Sequence, residues 1–218
     1  ITDAEFDQLY DNLEAMESAQ GWRDHDSPTF RVGGKAGKVT HPYPLYSLRK
    51  VYDIDEVDAF MDVRLPKIDG TNLSLVYTNG KLSLAVTRGN GERGEDVTHL
   101  AVAIANIPTR IDTHYDEVVI NGECVTDNDV ENFRNYVSGA LGLKSAKEFA
   151  ERNIIFIAHD WLGTEMNYKA RMNIVKNMGF FTVLEDDAWT YPMDGVVYRA
   201  DSYAKCVRLG YTYKFPKF

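Results

Sequence analysis

The stretch Lys67-Ile68-Asp69-Gly70 decides the fold, because it puts a lysine two residues before an Asp-Gly turn at the end of a predicted strand. Apolar residues then alternate with polar ones over 73–77, Asn79-Gly80 gives a strong hairpin turn, and the alternation resumes over 82–86. Lys67 and Arg88 therefore flank one antiparallel hairpin.

Further strands and helices are predicted along the rest of the chain. Thr2-Asp3-Ala4-Glu5 has the spacing of a capping box and opens an amphipathic helix that runs to about Ala19. The segment 21–38 reads as a linker. Strands are predicted over 63–67, 118–125, 154–159 and 196–198, and helices over 53–62, 128–136, 145–152, 169–178 and 202–209. Hairpins mixed with unpaired helices indicate an α+β fold with mainly antiparallel sheets.

The composition is that of an acidic globular chain. Its 218 residues, 44% of them hydrophobic, can bury one substantial core or one core plus a small appended unit. A net charge of -9 argues against a surface that binds nucleic acid all over, because affinity for phosphates comes from clustered cations. The strip 199–217 is locally basic, and by charge alone it is more simply an exposed helix face than a phosphate contact. Its cations are Arg199, Lys205, Arg208, Lys214 and Lys217.

The two cysteines and the chain ends suggest a setting for the protein. Cys124 and Cys206 have no cysteine or histidine at ligand spacing, so buried free thiols in a reducing compartment are expected. No apolar run reaches the length of a membrane span, and no signal peptide is readable. A first residue Ile1 and an end at Phe218 without a stop-like feature suggest an excised fragment. The cytoplasm is such a compartment.

If Lys67 is to act as a nucleophile toward a phosphate, its surroundings have to lower the pKa of its amine. A lysine amine attacks phosphorus only when unprotonated, and its ordinary pKa of about 10.4 leaves roughly one molecule in a thousand neutral near pH 7.4. Partial burial and nearby cations lower a lysine pKa. Arg88 and Arg199 are candidates for those cations and for neutralising an α-phosphate. Taken singly, Arg88 is more simply a loop-stabilising arginine and Arg199 an exposed strand end.

Three other side chains have two interpretations each. Glu123 either accepts a hydrogen bond from a ribose hydroxyl or simply ends a strand, and Asp194 is either a turn residue or a metal-binding carboxylate. His159 either stacks on a base or is a core histidine. The segment 88–91 looks like a phosphate cradle. The chain has neither a P-loop nor a Rossmann glycine pattern, so hydride transfer is unsupported.

The order of these motifs resembles the adenylation domain of NAD-dependent DNA ligases over nearly the whole chain. Lys67 matches the K-x-D-G lysine that becomes adenylated in that family, and Asp69 and Gly70 complete the motif. The segment 87–98 is similar to T-R-G-D-G followed by G-E-D-V-T, with Asn90 in place of the aspartate. The resemblance implies catalytic roles for Lys67, Asp69 and Arg88.

Further matches imply a nucleotide-binding set. The segment 41–48 resembles H-x-x-P-[ML]-L-S-L, whose Ser-Leu pair lies against adenine in the family, and 134–135 resembles the start of R-N-A-A-A-G. The segment 194–199 resembles D-G-V-V-x-K, so Arg199 stands where lysine is usual. By this resemblance Asp194 would bind Mg2+. The implied nucleotide-binding residues are Ser47, Leu48, Gly70, Glu123, Arg134, His159, Val197 and Arg199.

The N-terminal segment resembles the part of the family that selects NAD. The run 3–7 is similar to a D-A-E-Y-D segment that binds nicotinamide mononucleotide, which implies this role for Asp3, Phe6 and Asp7, with Phe6 lacking the tyrosine hydroxyl. The resemblance implies a helical nicotinamide-mononucleotide subdomain with a linker over 1–37. A nucleotidyltransferase domain of ATP-grasp-like fold would follow over 38–218.

The chain also departs from the family pattern. Leu65 replaces an acidic residue two positions before the lysine, and Asn121 replaces the arginine before Gly-Glu. The stretch 123–194 is shorter than in bacterial members, which indicates a compact variant such as a viral one. The resemblance therefore implies a monomer in the cytoplasm of a bacterial or virus-infected cell. The expected function is transfer of AMP from NAD to Lys67 and onward to the 5′-phosphate of nicked DNA. The alternatives are an ATP-dependent nucleic-acid ligase, a capping-type nucleotidyltransferase and an inactive nucleotide-binding module.

Overall fold

A computed structural model describes residues Asp3–Gln20, 37–212 and 216–217. Helix α1, Asp3–Gln20, confirms the predicted N-terminal helix. Its apolar stripe does not face the core, because Leu9, Leu13 and Met16 are all exposed. Most of the predicted linker lies outside the described residues. None of the helices in the described ranges is long and apolar enough to cross a membrane.

The centre of the molecule is a four-stranded antiparallel sheet in the order β4-β3-β6-β7. The predicted hairpin is confirmed: β3 and β4 pair through a turn in which Asn79 and Gly80 both have positive φ. The four strands are β3 (Thr71–Thr78), β4 (Lys81–Thr87), β6 (Glu117–Thr126) and β7 (Ile154–Leu162).

The two faces of this sheet differ in character. On β3, Leu73, Leu75 and Tyr77 point to one side and are fully buried in the main core cluster. On the other side Asn72 and Ser74 are polar whereas Val76 is apolar, and antiparallel pairing places Asn72 opposite Glu123. Directly paired residues share a face, so the polar side chains of β3 and β6 lie on one surface.

Two smaller antiparallel pairs complete the sheets. Strand β2, Val63–Ile68, pairs with β8, Met193–Arg199, and β1, Val39–Thr40, pairs with β5, Arg93–Gly94. Leu65 of β2 belongs to the same core cluster as the central sheet. The observed architecture is therefore α+β with antiparallel sheets, as predicted.

The remaining helices are short, and two predictions need correction. The bounds are α2 (Thr98–Ala101), α3 (Phe133–Ala140), α4 (Ala146–Ala150), α5 (Tyr168–Asn177) and α6 (Tyr203–Leu209). The helix predicted over 53–62 is only a 3-10 turn, Ile54–Glu56, because it has no buried residue to extend it and the chain turns extended at its C-cap. The helix predicted over 128–136 begins later because Asn132 caps it.

Candidate active site

Lys67 lies on β2, opposite Gly195 of β8, where the pairing register shifts. Its Nζ lies 2.6 Å from Oδ1 of Asp194, and the two side chains are 37% and 39% exposed. An ammonium has no lone pair for attack, so Lys67 must lose a proton before it can react. The pair combines a candidate nucleophile with a carboxylate at a solvent-accessible position.

The turn after Lys67 is fixed by backbone contacts. The N–H of Asp69 donates to the carbonyl of Pro192 at 2.8 Å. Gly70 passes so close to β6 that a Cβ there would lie 2.4 Å from the carbonyl oxygen of Cys124. This close approach explains the glycine of the motif. The carboxylate of Asp69 lies 3.9 Å from Arg134 of α3, a loose and exposed ion pair.

Arg88 follows β4 and is tied to the segment that carries Ser47. Its Nη2 donates to Ser47 Oγ at 3.0 Å, and its carbonyl accepts from His41 Nε2 at 3.2 Å. Burial lowers the pKa of Arg88, the charge of Glu123 raises it and that of Arg134 lowers it. Arg88 thus lies within electrostatic reach of Glu123, and it also stabilises the loop.

Asn90, which stands where the family motif has an aspartate, closes the loop after Arg88. Asn90 Oδ1 accepts hydrogen bonds from the N–H groups of Glu92, at 3.1 Å, and Arg93, at 2.8 Å. Gly89 and Gly91 both have positive φ. Because an aspartate oxygen would accept the same two bonds, asparagine preserves the loop while it removes one negative charge.

Glu123 of β6 is the most perturbed acid near the lysine. Burial raises its pKa to about 8, against the lowering effects of Arg134, Arg88 and Lys67. Its Oε2 is buried, and none of the described residues forms a hydrogen bond with it. A buried carboxyl oxygen without a partner is costly, so this position is suited to a ligand that donates a hydrogen bond.

His159 and Arg199 both contact residues that sequence reasoning missed. Asn72 Nδ2 lies 3.3 Å from His159 Nε2, and burial lowers the pKa of His159 to about 4. The Nη1 of Arg199 lies 3.1 Å from Asp160 Oδ2, and its guanidinium stacks on Tyr168, 3.8 Å from the ring centroid. Only the alternation of polar residues on β3 gave any sequence signal for Asn72.

Arg199 is held in a buried network. The interpretation that it is simply an exposed strand end is therefore wrong. Asp160 is shared with Arg171, whose Nη2 lies 2.8 Å from Oδ1. Burial alone would lower the pKa of Arg199, but the attraction of Asp160 and its neighbours outweighs burial and raises that pKa. Arg199 pairs with Val63, four residues along β2 from Lys67, which corresponds to about 13 Å of strand. The carboxylate of Asp160 therefore compensates much of the positive charge of Arg199, at a distance from Lys67.

The other predicted residues lie in different environments. Leu48 is exposed, whereas Val197 is half-buried against the core opposite Leu65. The side chains of Asp3, Phe6 and Asp7 lie outside the described residues. Their roles, and the nucleotide-binding roles of the rest, stay predictions.

Asp194 places a carboxylate beside Lys67, and Mg2+ prefers oxygen ligands of this kind. The described residues contain no group of three or more histidine, cysteine, aspartate or glutamate side chains that could hold a metal ion. Magnesium is commonly bound through one or two carboxylates together with substrate phosphates and water. Asp194, exposed beside the candidate nucleophile, fits that kind of site and not an all-protein cage.

The chain is similar to part of two curated DNA ligases. It is 32% identical to a DNA ligase of Campylobacter concisus and 31% identical to one of Campylobacter hominis. Each alignment covers 100% of this chain, but only 41% and 42% of the relatives. The chain thus spans about two fifths of the length of these relatives. The alignments run over 270 positions, so the relatives carry insertions that the 218 residues here lack.

A match to a protein-family model identifies the chain more narrowly than these two relatives do. The model of the NAD-dependent DNA ligase adenylation domain matches residues 34–187, most of the chain. The chain therefore belongs to the NAD-dependent DNA ligase adenylation domain family. The matched range contains Lys67, Arg88, Glu123 and His159.

Proposed function

We propose that this chain carries out the adenylation half-reaction of an NAD-dependent DNA ligase, with Lys67 as the nucleophile. The observation that carries the proposal is the convergence of charge around Glu123, where Lys67, Arg88 and Arg134 all act on one buried carboxyl. These residues come from β2, the end of β4 and α3. Three cations around a buried acceptor suit a nucleotide, which offers both phosphate charge and ribose hydroxyl donors.

In the proposed step, the solvent-accessible Lys67 ammonium gives a proton to water, and the neutral amine attacks the adenylyl phosphorus of NAD. A nitrogen–phosphorus bond forms, the phosphorus–oxygen bond to nicotinamide mononucleotide breaks, and the mononucleotide leaves with the electron pair. Asp194 holds and orients the amine beforehand. Arg88 supplies positive charge for the phosphate, and Gly70 lets the turn carrying Asp69 pack close against β6.

We assign the base and ribose to the polar face of the central sheet. Glu123 accepts from a ribose hydroxyl through its unpartnered oxygen, and His159 offers its ring to the base. Ser47, Leu48 and Val197 line the base, and Arg134 lies beside Asp69 at the entrance. Arg199 contributes through its buried network, and its charge reaches His159.

Asp194 is the carboxylate we assign to Mg2+. When bound together with substrate phosphates, the ion would neutralise phosphate charge. If Asp194 bound the ion instead of Lys67, the Lys67 side chain would be released from its ion pair.

The N-terminal residues 1–37 form the proposed nicotinamide-binding subdomain, and 38–218 the nucleotidyltransferase domain of ATP-grasp-like fold. Asp3, Phe6 and Asp7 would contact the nicotinamide half of NAD, and the adenylated lysine would pass AMP to the 5′-phosphate of nicked DNA. Removal of residues 1–35 should block adenylation by NAD. An undiminished rate in the shortened chain would make the helix purely structural and favour an ATP-dependent enzyme. The monomeric state and the compartment also stay predictions.

The deciding experiment is intact-mass spectrometry of the chain after incubation with NAD and Mg2+, with peptide mapping of the adduct. We expect one adenylyl group on Lys67, its absence in Lys67→Ala and its retention in Lys81→Ala, a lysine of β4. An adduct on another lysine would refute the assignment. Labelling by ATP but not NAD would support an ATP-dependent enzyme, and labelling by neither an inactive nucleotide-binding module.

A further inference from the structure

His159 occupies an irregular position in the central sheet. On β6 and β7, Gly122 pairs with Ala158 and the preceding Asn121 pairs with Asp160, so His159 has no partner opposite it. An extra residue of this kind is a β-bulge, which re-aims the side chain it carries. The ring of His159 therefore needs another contact to fix its orientation.

That contact comes from Asn72 on the neighbouring strand β3. Its Nδ2 lies 3.1 Å from the carbonyl of Gly122 and 3.3 Å from His159 Nε2. An amide nitrogen only donates, so Nε2 accepts and the proton of the neutral ring sits on Nδ1. Burial keeps the ring neutral near pH 7, because it lowers the pKa of His159 to about 4.

The same side chain also stands beside the buried carboxyl. Asn72 is the direct cross-strand partner of Glu123, and its side chain lowers the pKa of that carboxyl. Asn72 Oδ1 and Glu123 Oε2 are both buried, and neither has a hydrogen-bond partner within the described part of the chain. The open side of the Glu123 carboxyl is suited to a hydroxyl of a ligand, and Asn72 holds the His159 ring beside it.

We propose that Asn72 is a positioning residue of the nucleotide site, which holds the His159 ring in one orientation with its proton on Nδ1. The role in nucleotide binding rests on the proposed function, but the orientation does not. Asn72 acts through His159 and does not touch the reacting atoms. The occupant of the site is the adenosine part of the nucleotide.

The first test reads the tautomer directly, by nitrogen and carbon NMR of histidine-labelled full chain at pH 7.5 without nucleotide. The His159 signal is assigned by its loss in His159→Phe. We expect Nδ1–H in the unchanged protein, Nε2–H in Asn72→Asp, whose carboxylate can only accept, and no change in Ser74→Ala, a buried neighbour on the same face. Nε2–H in the unchanged chain, or an unaltered tautomer in Asn72→Asp, would overturn the proposal.

The second test is AMP affinity by calorimetry in a double-mutant cycle. Asn72→Ala should weaken binding by about fivefold, the order expected for one neutral hydrogen bond, and by less than twofold in a His159→Phe background. An equal loss in both backgrounds would show that Asn72 does not act through His159. If the unchanged chain binds no AMP and forms no adduct, the proposed function fails and the nucleotide role of Asn72 fails with it. The NMR result would still decide the contact between Asn72 and His159.

Discussion

Lys67 Nζ lies 2.6 Å from Asp194 Oδ1, so the candidate nucleophile is held as an ion pair by a carboxylate on the adjacent strand. The contact orients the Lys67 nitrogen, and the amine still has to lose a proton before it can attack.

This ion pair should matter for reaction and little for stability. Asp194→Ala is expected to slow adenylation of Lys67 by about 10- to 100-fold, because a misplaced amine loses its attack geometry. Lys67→Ala and Asp194→Ala should each change the free energy of unfolding by less than about 1 kcal/mol, since both side chains are more than a third exposed. Urea titrations of both variants measure this change in the free energy of unfolding. A loss of several kcal/mol would mean that the pair is structural.

Glu123 should make the protein less stable as the pH rises. Its pKa is about 8 in the folded chain, above the ordinary value of 4.5. A raised pKa means that its stabilising contribution is complete below about pH 4.5 and is lost between there and about pH 8. Glu123→Gln should therefore be more stable than the parent above pH 8, by on the order of 2 kcal/mol, and similar to it at pH 4.5. Parallel unfolding curves at all pH values would contradict the buried, neutral carboxyl.

Gly70 should not accept a side chain. A Cβ there would lie 2.4 Å from the Cys124 carbonyl, so Gly70→Ala should destabilise the fold by about 1–3 kcal/mol and displace the turn after Lys67. Adduct formation should fall with it. Gly139→Ala on α3 is the matched control, because its Cβ would meet nothing within 4 Å, and it should stabilise by about 0.5–1 kcal/mol. Equal effects of the two changes would refute the steric argument.

Asp160 should be the most sensitive charged residue. Asp160→Ala leaves the guanidinium groups of Arg171 and Arg199 without their carboxylate, and should cost about 3–5 kcal/mol of folding free energy. Lys176→Ala breaks the more exposed pair with Glu185 and should cost less than about 1 kcal/mol. Thermal and urea unfolding of both variants distinguish the two cases, and a mild Asp160→Ala variant would show that water reaches the network.

Local pattern accounts for the features that the sequence predicted well. The hairpin of β3 and β4 was predictable because Leu73, Leu75 and Tyr77 alternate up to the Asn-Gly turn, and neither signal needs a distant partner. The helix predicted over 53–62 failed because a capping box can close one turn, but burial must extend it.

The contacts of the candidate site were less predictable. Arg199 was placed near the phosphate by motif, yet Asp160, 39 residues away in the chain, holds its guanidinium. The bulge at His159 depends on pairing with β6, which periodicity along β7 does not show. Such contacts follow from tertiary packing and could not be read from spacing.

The basic strip should contribute less to DNA binding than its composition suggests. Arg199 is buried and paired with Asp160, which leaves Lys205, Arg208 and Lys217 as the described cations with access to solvent. Lys205 and Arg208 lie three residues apart on α6 and so share a face. With a net charge of -9 around them, we expect weak, salt-sensitive binding to nicked duplex that is indifferent to sequence.

Changing all three cations to alanine should reduce the slope of log affinity against log salt by about 2 to 3, roughly one unit for each phosphate that the variant no longer neutralises. Changing Lys81, Lys144 and Lys147 to alanine removes the same charge from other exposed positions and should leave the slope nearly unaltered. The measurement is a salt series of nicked-duplex titrations with fluorescence anisotropy. Equal effects of the two triple variants would mean that net charge, and not the strip, governs binding. Tight, salt-insensitive binding or efficient nick sealing by this chain would show that its DNA-binding surface is far more extensive than these three cations.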